Sequence, residues 1–166
     1  ICLDICWITS NIACASTFCI EALLKTSLLG TLLSLTFETE DKAILNEVAY
    51  TFANAISCGR ITHRQNLMEY NPIEFLSQFL SSTDINLVML ILESFKDMMD
   101  AGIPTPDDIM EKVHKISEKH ASAEIYKQGQ AILELHTESR KFDSLEKPRL
   151  LQLPPKPKPL RVPTKV

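Results

Sequence analysis

Apolar residues recur three to four positions apart along most of the chain, a spacing that predicts amphipathic α-helices. The longest such stretch covers residues 84–101, and a second covers residues 72–81. Asp84 and Pro72 favour helix starts at the beginning of these two stretches. The same spacing predicts further helices over residues 21–26, 28–37, 41–57, 60–69, 107–118 and 122–137. The chain is therefore predicted to be all-helical.

An uncharged stretch covers residues 5–20, between Asp4 and Glu21. It includes the polar side chains Ser10 and Asn11, and it is shorter than the roughly 20 predominantly apolar residues that a membrane span needs. We therefore interpret it as a buried helix followed by a turn. No membrane partner is expected.

The pattern repeats along the chain with a period of 43 residues. In three successive periods, an aromatic or acidic residue is followed four positions later by an amide or an acid. The pairs are Trp7 and Asn11, Tyr50 and Asn54, and Glu93 and Asp97. A period of about 40–47 residues is typical of armadillo and HEAT solenoids. Because each period holds three helical stretches, the armadillo repeat is favoured over the two-helix HEAT repeat.

The repeats predict an all-α armadillo solenoid, a right-handed superhelix of three-helix units. Gly59 and Gly102 follow Asn54 and Asp97 by five positions, and we expect them to end helices with positive φ. The expected units are a partial repeat over 1–16, repeats over 17–59 and 60–102, and a closing repeat over 103–136. The closing repeat is richer in charge, as suits the end of a stack.

Charge divides the chain into two unlike parts. Residues 1–139 carry a net charge of −10, and residues 140–166 carry a net charge of +6. An acidic body argues against nucleic acid as the ligand, because phosphate binding needs a basic face. It suits basic peptides or basic protein segments instead.

Six of the nine prolines lie in residues 148–163. Because this composition favours a disordered or polyproline II segment, residues 137–166 are predicted to be a disordered Pro/Lys-rich tail. Its positive charge leaves two alternatives. The tail is either solvated, or it folds back over the acidic body as a weak competitor for ligands.

Cysteine and histidine usage argues against metal binding and catalysis. The five cysteines form no regular framework, and the spacing of Cys2 and Cys6 favours buried free thiols. Reduced thiols fit the cytosol or the nucleus. The four histidines are scattered, and we expect them to be solvated. With no C-x2-C pair, phosphate loop or nucleophile–base pairing, the sequence predicts no metal site, no cofactor and no enzyme.

Asp4, Trp7 and Asn11 fall within about 60° of one another on an α-helix. One period later the same triplet recurs as Glu47, Tyr50 and Asn54. The amide of each triplet can pair with the N–H and C=O of an extended peptide. The aromatic ring can pack on a lysine stem and attract its ammonium group, and the acid can pair with the charge. The triplets therefore predict a row that binds lysine-rich peptides.

The segments that carry the triplets resemble repeats of the importin-alpha (karyopherin-alpha) family. Residues 4–12, D-I-C-W-I-T-S-N-I, resemble the family segment K-E-A-C-W-T-L-S-N-I. Residues 47–59, E-V-A-Y-T-F-A-N-A-I-S-C-G, resemble the next segment, E-A-A-W-A-I-S-N-A-T-S-G-G. Residues 92–99 and 124–134 look like the two segments that follow in the family, so the resemblance covers about residues 1–136.

The resemblance implies the C-terminal third of the solenoid, which in this family holds the minor groove for nuclear localisation signals. The family's tryptophans and asparagines line that groove, with acidic partners and a serine beside them. The candidate peptide-binding residues are Asp4, Trp7, Ser10, Asn11, Glu47, Tyr50, Asn54, Glu93 and Asp97.

The resemblance also implies a role and a set of partners. The chain would act as a nuclear-import adaptor in the cytoplasm and nucleus, with basic localisation-signal peptides of cargo proteins as ligands. Importin-beta would bind through a segment outside this chain, and the export receptor is a candidate partner of the C-terminal repeats.

The chain departs from the family at positions of the row. Tyr50 replaces tryptophan, Asp4 replaces glutamate and Asp97 replaces asparagine. An armadillo interaction scaffold that binds no localisation signals is therefore the alternative. The recurring asparagines discriminate between the two, because a pure scaffold has no need of them.

Overall fold

The computed structural model describes residues 1–120 and 122–145 of the chain, and it is all-helical over these ranges, as predicted. The helices are α1 Cys2–Ala15, α2 Thr17–Leu24, α3 Leu28–Leu35, α4 Lys42–Ser57, α5 Ile61–Leu67, α6 Pro72–Ser77, α7 Ile85–Asp100, α8 Asp107–Lys119 and α9 Ala123–Leu145. A short 3₁₀ segment, Met68–Tyr70, joins α5 to α6.

The longest helices form one layer in chain order: α1 packs along α4, α4 along α7, and α7 along α9. The shorter helices form a second layer that contacts them, with α2 against α5 and α6 against α8. Two successive units, α2–α3–α4 and α5–α6–α7, therefore have the three-helix composition of armadillo repeats. Helices α8 and α9 close the stack as a pair.

The core repeats with the same 43-residue period as the sequence. Cys6, Ala49 and Leu92 occupy equivalent positions on α1, α4 and α7, and all three are fully buried. Phe52 is also fully buried, and its ring lies 5.6 Å from that of Phe75 in an edge-on arrangement that stabilises aromatic pairs. The periodic apolar positions thus bury the faces by which each repeat packs on the next.

Capping residues start three of the helices. The Asp41 carboxylate accepts a hydrogen bond from the Ala43 N–H, and the Asp84 carboxylate accepts bonds from the first turn of α7. Ser16 caps α2 by accepting from the Cys19 N–H. Because of this cap, the helix expected over 21–26 begins earlier, and residues 5–20 belong to two helices rather than to one helix and a turn.

The glycines that follow α4 and α7 differ from each other. Gly102 has a φ of +73°, so the prediction that it ends a helix in the left-handed region is confirmed. For Gly59 that prediction is wrong, since its φ is not positive. A Cβ at Gly59 would instead clash with the Ala55 carbonyl oxygen, so the glycine permits close packing of the backbone at the end of α4.

The outer face of α1 is exposed, which corrects the expectation of a buried helix. Ile5, Ile8 and Ile12 are each more than one-third exposed. Their equivalents on α4 are fully buried: Val48, Thr51 and Ala55. The same face therefore mediates helix packing on α4 and faces outward on α1.

The cysteines are free, but only Cys6 of the five is fully buried. Cys2, Cys14 and Cys58 are exposed, so the expectation of buried thiols holds for one member of the Cys2–Cys6 pair. Among the described helices, none alone combines the length and hydrophobicity of a membrane span, although the bent pair of α2 and α3 meets both criteria jointly.

Helix α9 continues to Leu145, so residues 137–145 are helical where a tail was expected. Local hydrogen bonds from Thr137 and Ser139 to carbonyls one turn earlier accompany this continuation. Residues 146–166 lie outside the described residues, and so does the prediction that the tail folds back over the acidic body.

Candidate peptide-binding face

The predicted row begins on α1 with an exposed aromatic ring. Trp7 is 58% exposed, and Asp4 and Asn11 lie exposed on the same helical face. The Asn11 amide nitrogen donates to the Trp7 carbonyl oxygen at 2.7 Å, so one of its N–H groups bonds within its own helix. This part of the row offers an indole face, a carboxylate and the rest of an amide to a ligand.

The next part of the row lies where α1 meets α4. The Ser10 hydroxyl lies 2.8 Å from a carboxylate oxygen of Glu47, and the Asn54 amide nitrogen donates to the Ser10 carbonyl at 3.0 Å. The structure therefore brings Ser10, Glu47 and Asn54 together. Asn54 retains its amide oxygen and a second N–H without a hydrogen bond to any described residue.

Tyr50 differs from Trp7 because its polar end is already bonded. Its hydroxyl donates to Asp84 at 2.9 Å, while the other carboxylate oxygen of Asp84 caps α7. Burial is the main cause that raises the pKa of Tyr50 above its usual range, and the bond to Asp84 adds to it. Half-buried Tyr50 thus links α4 to the start of α7, and part of its ring remains accessible to a ligand.

The third position of the row contains an ion pair. Arg64 of α5 lies with its Nη2 3.1 Å from Oδ1 of Asp97, and its Nη1 donates to the Asp97 carbonyl at 3.0 Å. Its Nε donates to the Ile56 carbonyl at 2.9 Å. Glu93, one turn earlier on α7, is exposed. The row therefore continues onto α7 as Glu93, which has no ion pair among the described residues, and as Asp97, which is paired.

Equivalent carbonyls accept hydrogen bonds across both helix junctions. The Ser10 carbonyl of α1 accepts from Asn54, and its equivalent on α4, the Ala53 carbonyl, accepts from the Ser94 hydroxyl at 3.3 Å. Asp97 occupies the position of Asn54 but has no N–H to donate. Ser94 provides the donor at the second junction instead.

The contacts of three residues that take part in this arrangement were not predicted from the sequence: Arg64, Asp84 and Ser94. Ser94 could have been identified by recurrence, because a hydroxyl side chain also occurs one period earlier, at Thr51. Arg64 could not, since the equivalent residue one period earlier is Glu21. Asp84 was predicted as a helix start, but its bond to Tyr50 could not be inferred from spacing.

Two of the four histidines, His63 and His136, are less solvated than expected, whereas His114 is exposed. His63 is buried, and its Nδ1 accepts a hydrogen bond from the Arg60 backbone N–H. His136 lies 3.0 Å from a carboxylate oxygen of Asp107. Within residues 1–120 and 122–145, no three His, Cys, Asp or Glu side chains lie close enough together to hold a metal ion.

Comparison with solved structures supports an armadillo-type fold. The chain is similar to the designed armadillo repeat protein YIII(Dq)4CqI, with a TM-score of 0.58 and 19% identity over 77% of this chain and 55% of that one. It is also similar to an engineered protein, structural genomics target OR329, with a TM-score of 0.57 and 22% identity over 78% of this chain and 53% of that one. The chain thus spans about half the length of these two proteins.

A third similar structure is the designed armadillo repeat protein YIII(Dq.V1)4CPAF in complex with peptide (KR)4. Its TM-score is 0.51 with 17% identity, over 81% of this chain and 74% of that one. No protein-family model and no curated protein sequence matches the chain. At these identities the similarity defines the class of fold alone, an armadillo-type helical repeat.

Proposed function

We propose that this chain is part of a nuclear-import cargo adaptor and that it binds lysine-rich localisation signals in extended form. The observation that carries the proposal is the exposed indole of Trp7, which shares its helical face with Asp4. A second acid, Glu47 on the neighbouring helix, bonds to Ser10, one turn from Trp7. A lysine stem would pack on the indole, and its ammonium group would pair with a carboxylate.

Two further facts support a basic peptide as the ligand. A designed protein of the same fold class has been solved with a peptide that alternates lysine and arginine. The order of repeat segments in this chain resembles importin-alpha, which refines the ligand to a localisation signal and the location to cytoplasm and nucleus. Importin-beta and the export receptor remain partners proposed from that resemblance. The proposal assigns binding and no catalysis.

Calorimetric titration of the chain with a lysine-rich localisation peptide at low salt tests the proposal. Binding should weaken as salt rises, because exposed charges are screened. Trp7→Ala should raise the dissociation constant about tenfold, through loss of stem packing and attraction to the ring face.

Tyr126→Ala is the matched control, since Tyr126 is a similarly exposed aromatic residue on α9, beyond the row. It should bind the peptide as the unchanged chain does, and a peptide with glutamate in place of lysine should not bind. The proposal fails if the unchanged chain does not bind the lysine peptide. It also fails if a Trp7→Ala variant that remains helical binds the peptide with unchanged affinity.

An interaction scaffold without localisation-signal binding is the second candidate. The contacts of Tyr50 with Asp84 and of Asn54 with the Ser10 carbonyl favour it, because they give the recurring residues a role at the repeat junctions. This candidate predicts a fully helical chain that binds no basic peptide at low salt.

A further inference from the structure

Among the described residues, one acid of the peptide-binding row is paired with a cationic side chain. On α1 and α4 the recurring amides are Asn11 and Asn54, and the equivalent residue on α7 is Asp97. The Asp97 side chain is only 26% exposed, and its carboxylate is paired with Arg64. At Asp97 a cationic ligand would meet an acid whose charge is already compensated. The other acid of the row on α7, exposed Glu93, offers only a solvent-screened pair of small energy.

Arg64 is held by more than this one ion pair. Its guanidinium donates to the Ile56 carbonyl near the end of α4 and to both the carbonyl and the carboxylate of Asp97. Its side chain is 13% exposed, so much of its hydration has been replaced by these three contacts. An arginine with this many fixed bonds is costly to displace, because each buried acceptor would lose its donor.

Among the described residues, no cationic side chain pairs with the acid at the neighbouring junction, between α1 and α4. There the Asn54 amide makes the contact with the Ser10 carbonyl, and Glu47 accepts from the Ser10 hydroxyl, which is a neutral partner. The charge of Glu47 therefore has no cationic partner among the described residues, whereas the charge of Asp97 is compensated by Arg64.

We infer that Arg64 occupies the third position of the row with a cation from the chain itself. An extended basic peptide therefore binds to α1 and α4 and gains no affinity from Asp97. This inference rests on the proposed function, and it sets the length of peptide that contributes to the binding affinity. Packed helices lie about 8–10 Å apart, which matches about two to three extended peptide residues per helix. The inferred ligand is thus a short basic segment whose lysines need to match only two helices.

The test compares a lysine-rich core peptide with two longer versions, extended by three residues including one lysine at the N-terminal or the C-terminal end. With the unchanged chain, both extensions should alter the dissociation constant by less than about twofold. With Arg64→Gln, the core peptide should bind as before, and the version that reaches α7 should bind at least about fivefold tighter.

Arg60→Gln is the matched control, because it removes the same charge from an exposed residue just before α5. It should give no length-dependent gain. Arg64→Lys keeps a cation beside Asp97 and should also leave the extensions without effect.

If Arg64→Gln loses helicity, the side-chain Nε–H resonance of Arg64 in the unchanged chain provides the second measurement. It should keep its position and its slow hydrogen exchange when the chain is saturated with the longer peptides. A shift to solvent-like exchange would overturn the inference.

The outcomes separate the two proposals. A core peptide that does not bind the unchanged chain rejects the proposed function and this inference with it. A core peptide that binds, together with a longer peptide that already gains about fivefold on the unchanged chain, rejects the inference alone. So does the absence of any gain in a folded Arg64→Gln variant.

Discussion

At the scale of single residues, side chains of the same type at equivalent positions make different contacts. Asn11 donates to a carbonyl of its own helix and is exposed, whereas Asn54 donates across the junction to the Ser10 carbonyl and is half-buried. The difference arises because α4 has a helix on the side to which Asn54 points. Recurrence in sequence therefore does not imply equal roles in stability.

Replacing each asparagine by alanine should separate these roles. Asn54→Ala should lower the free energy of unfolding by about 1 kcal/mol, since it leaves the Ser10 carbonyl without this donor. Asn11→Ala should change it by less than about 0.5 kcal/mol, as is usual for an exposed site. Urea unfolding followed by circular dichroism measures both values, and equal losses would contradict this account.

The Cys6 thiol should make the fold sensitive to alkali. Burial is the main cause that raises its pKa from 9.0 to about 11, and the neighbouring Cys2 thiol adds to the effect. A raised pKa means that the unfolded thiol ionises first, so this stabilisation is complete below about pH 9 and is lost as the pH rises towards 11.

Unfolding measured from pH 8 to pH 11 should show a smaller alkaline loss of stability in Cys6→Ala than in the unchanged chain. Cys14→Ala is the control, because Cys14 is exposed, and it should keep the full loss. Identical pH profiles for Cys6→Ala and Cys14→Ala would refute the assignment.

At the scale of helices, Asp84 connects two elements. One carboxylate oxygen caps α7 by accepting from the Asn86 and Leu87 N–H groups, and the other accepts from the Tyr50 hydroxyl of α4. A single side chain thus ends the loop, starts a helix and fixes that helix against its neighbour.

Asp84→Ala should therefore cost more than the loss of an ordinary cap. We expect about 2 kcal/mol, against about 1 kcal/mol for Asp41→Ala, which removes a cap that accepts one N–H on α4. In a Tyr50→Phe background the cost of Asp84→Ala should fall towards the lower value. A cost for Asp84→Ala that does not depend on residue 50 would contradict the link.

The helices and the repeat were predictable because both depend on short-range spacing. The helix starts at Asp41 and Asp84 follow from local capping, and the burial of Phe52 follows from apolar periodicity. The contacts of Arg64 with Asp97 were not predictable, because they join α5 to a part of α7 that is 33 residues away in sequence. The interpretation of Gly59 was wrong for a related reason: spacing locates a helix end but does not distinguish positive φ from close packing.

At the scale of the whole molecule, the described helices form an ordered stack, and α1 lies at one end of its layer. Helix α4 has α1 on one side and α7 on the other, whereas α1 has only α4 in its layer. Because repeat arrays derive stability from interfaces between neighbours, α1 should be the least stable of the three equivalent helices α1, α4 and α7.

Substitutions at two equivalent positions should reveal this asymmetry. Thr51→Asp places an unpaired carboxylate at a fully buried site and should cost at least about 3 kcal/mol. Ile8→Asp introduces the same side chain on the exposed face of α1 and should change stability by less than about 1 kcal/mol. Thermal unfolding at low protein concentration measures the difference, and a comparable loss at Ile8 would mean that another surface covers this face.

The position of Trp7 determines what an optical experiment on this chain reports. Trp7 is the only tryptophan, and it lies on the outermost helix with more than half of its surface in water. Its emission should already be red-shifted in the native state and should change when α1 frays, before the rest of the stack unfolds. Fluorescence and circular dichroism should then give different midpoints for one stepwise process, and the fluorescence trace would describe a single end of the molecule.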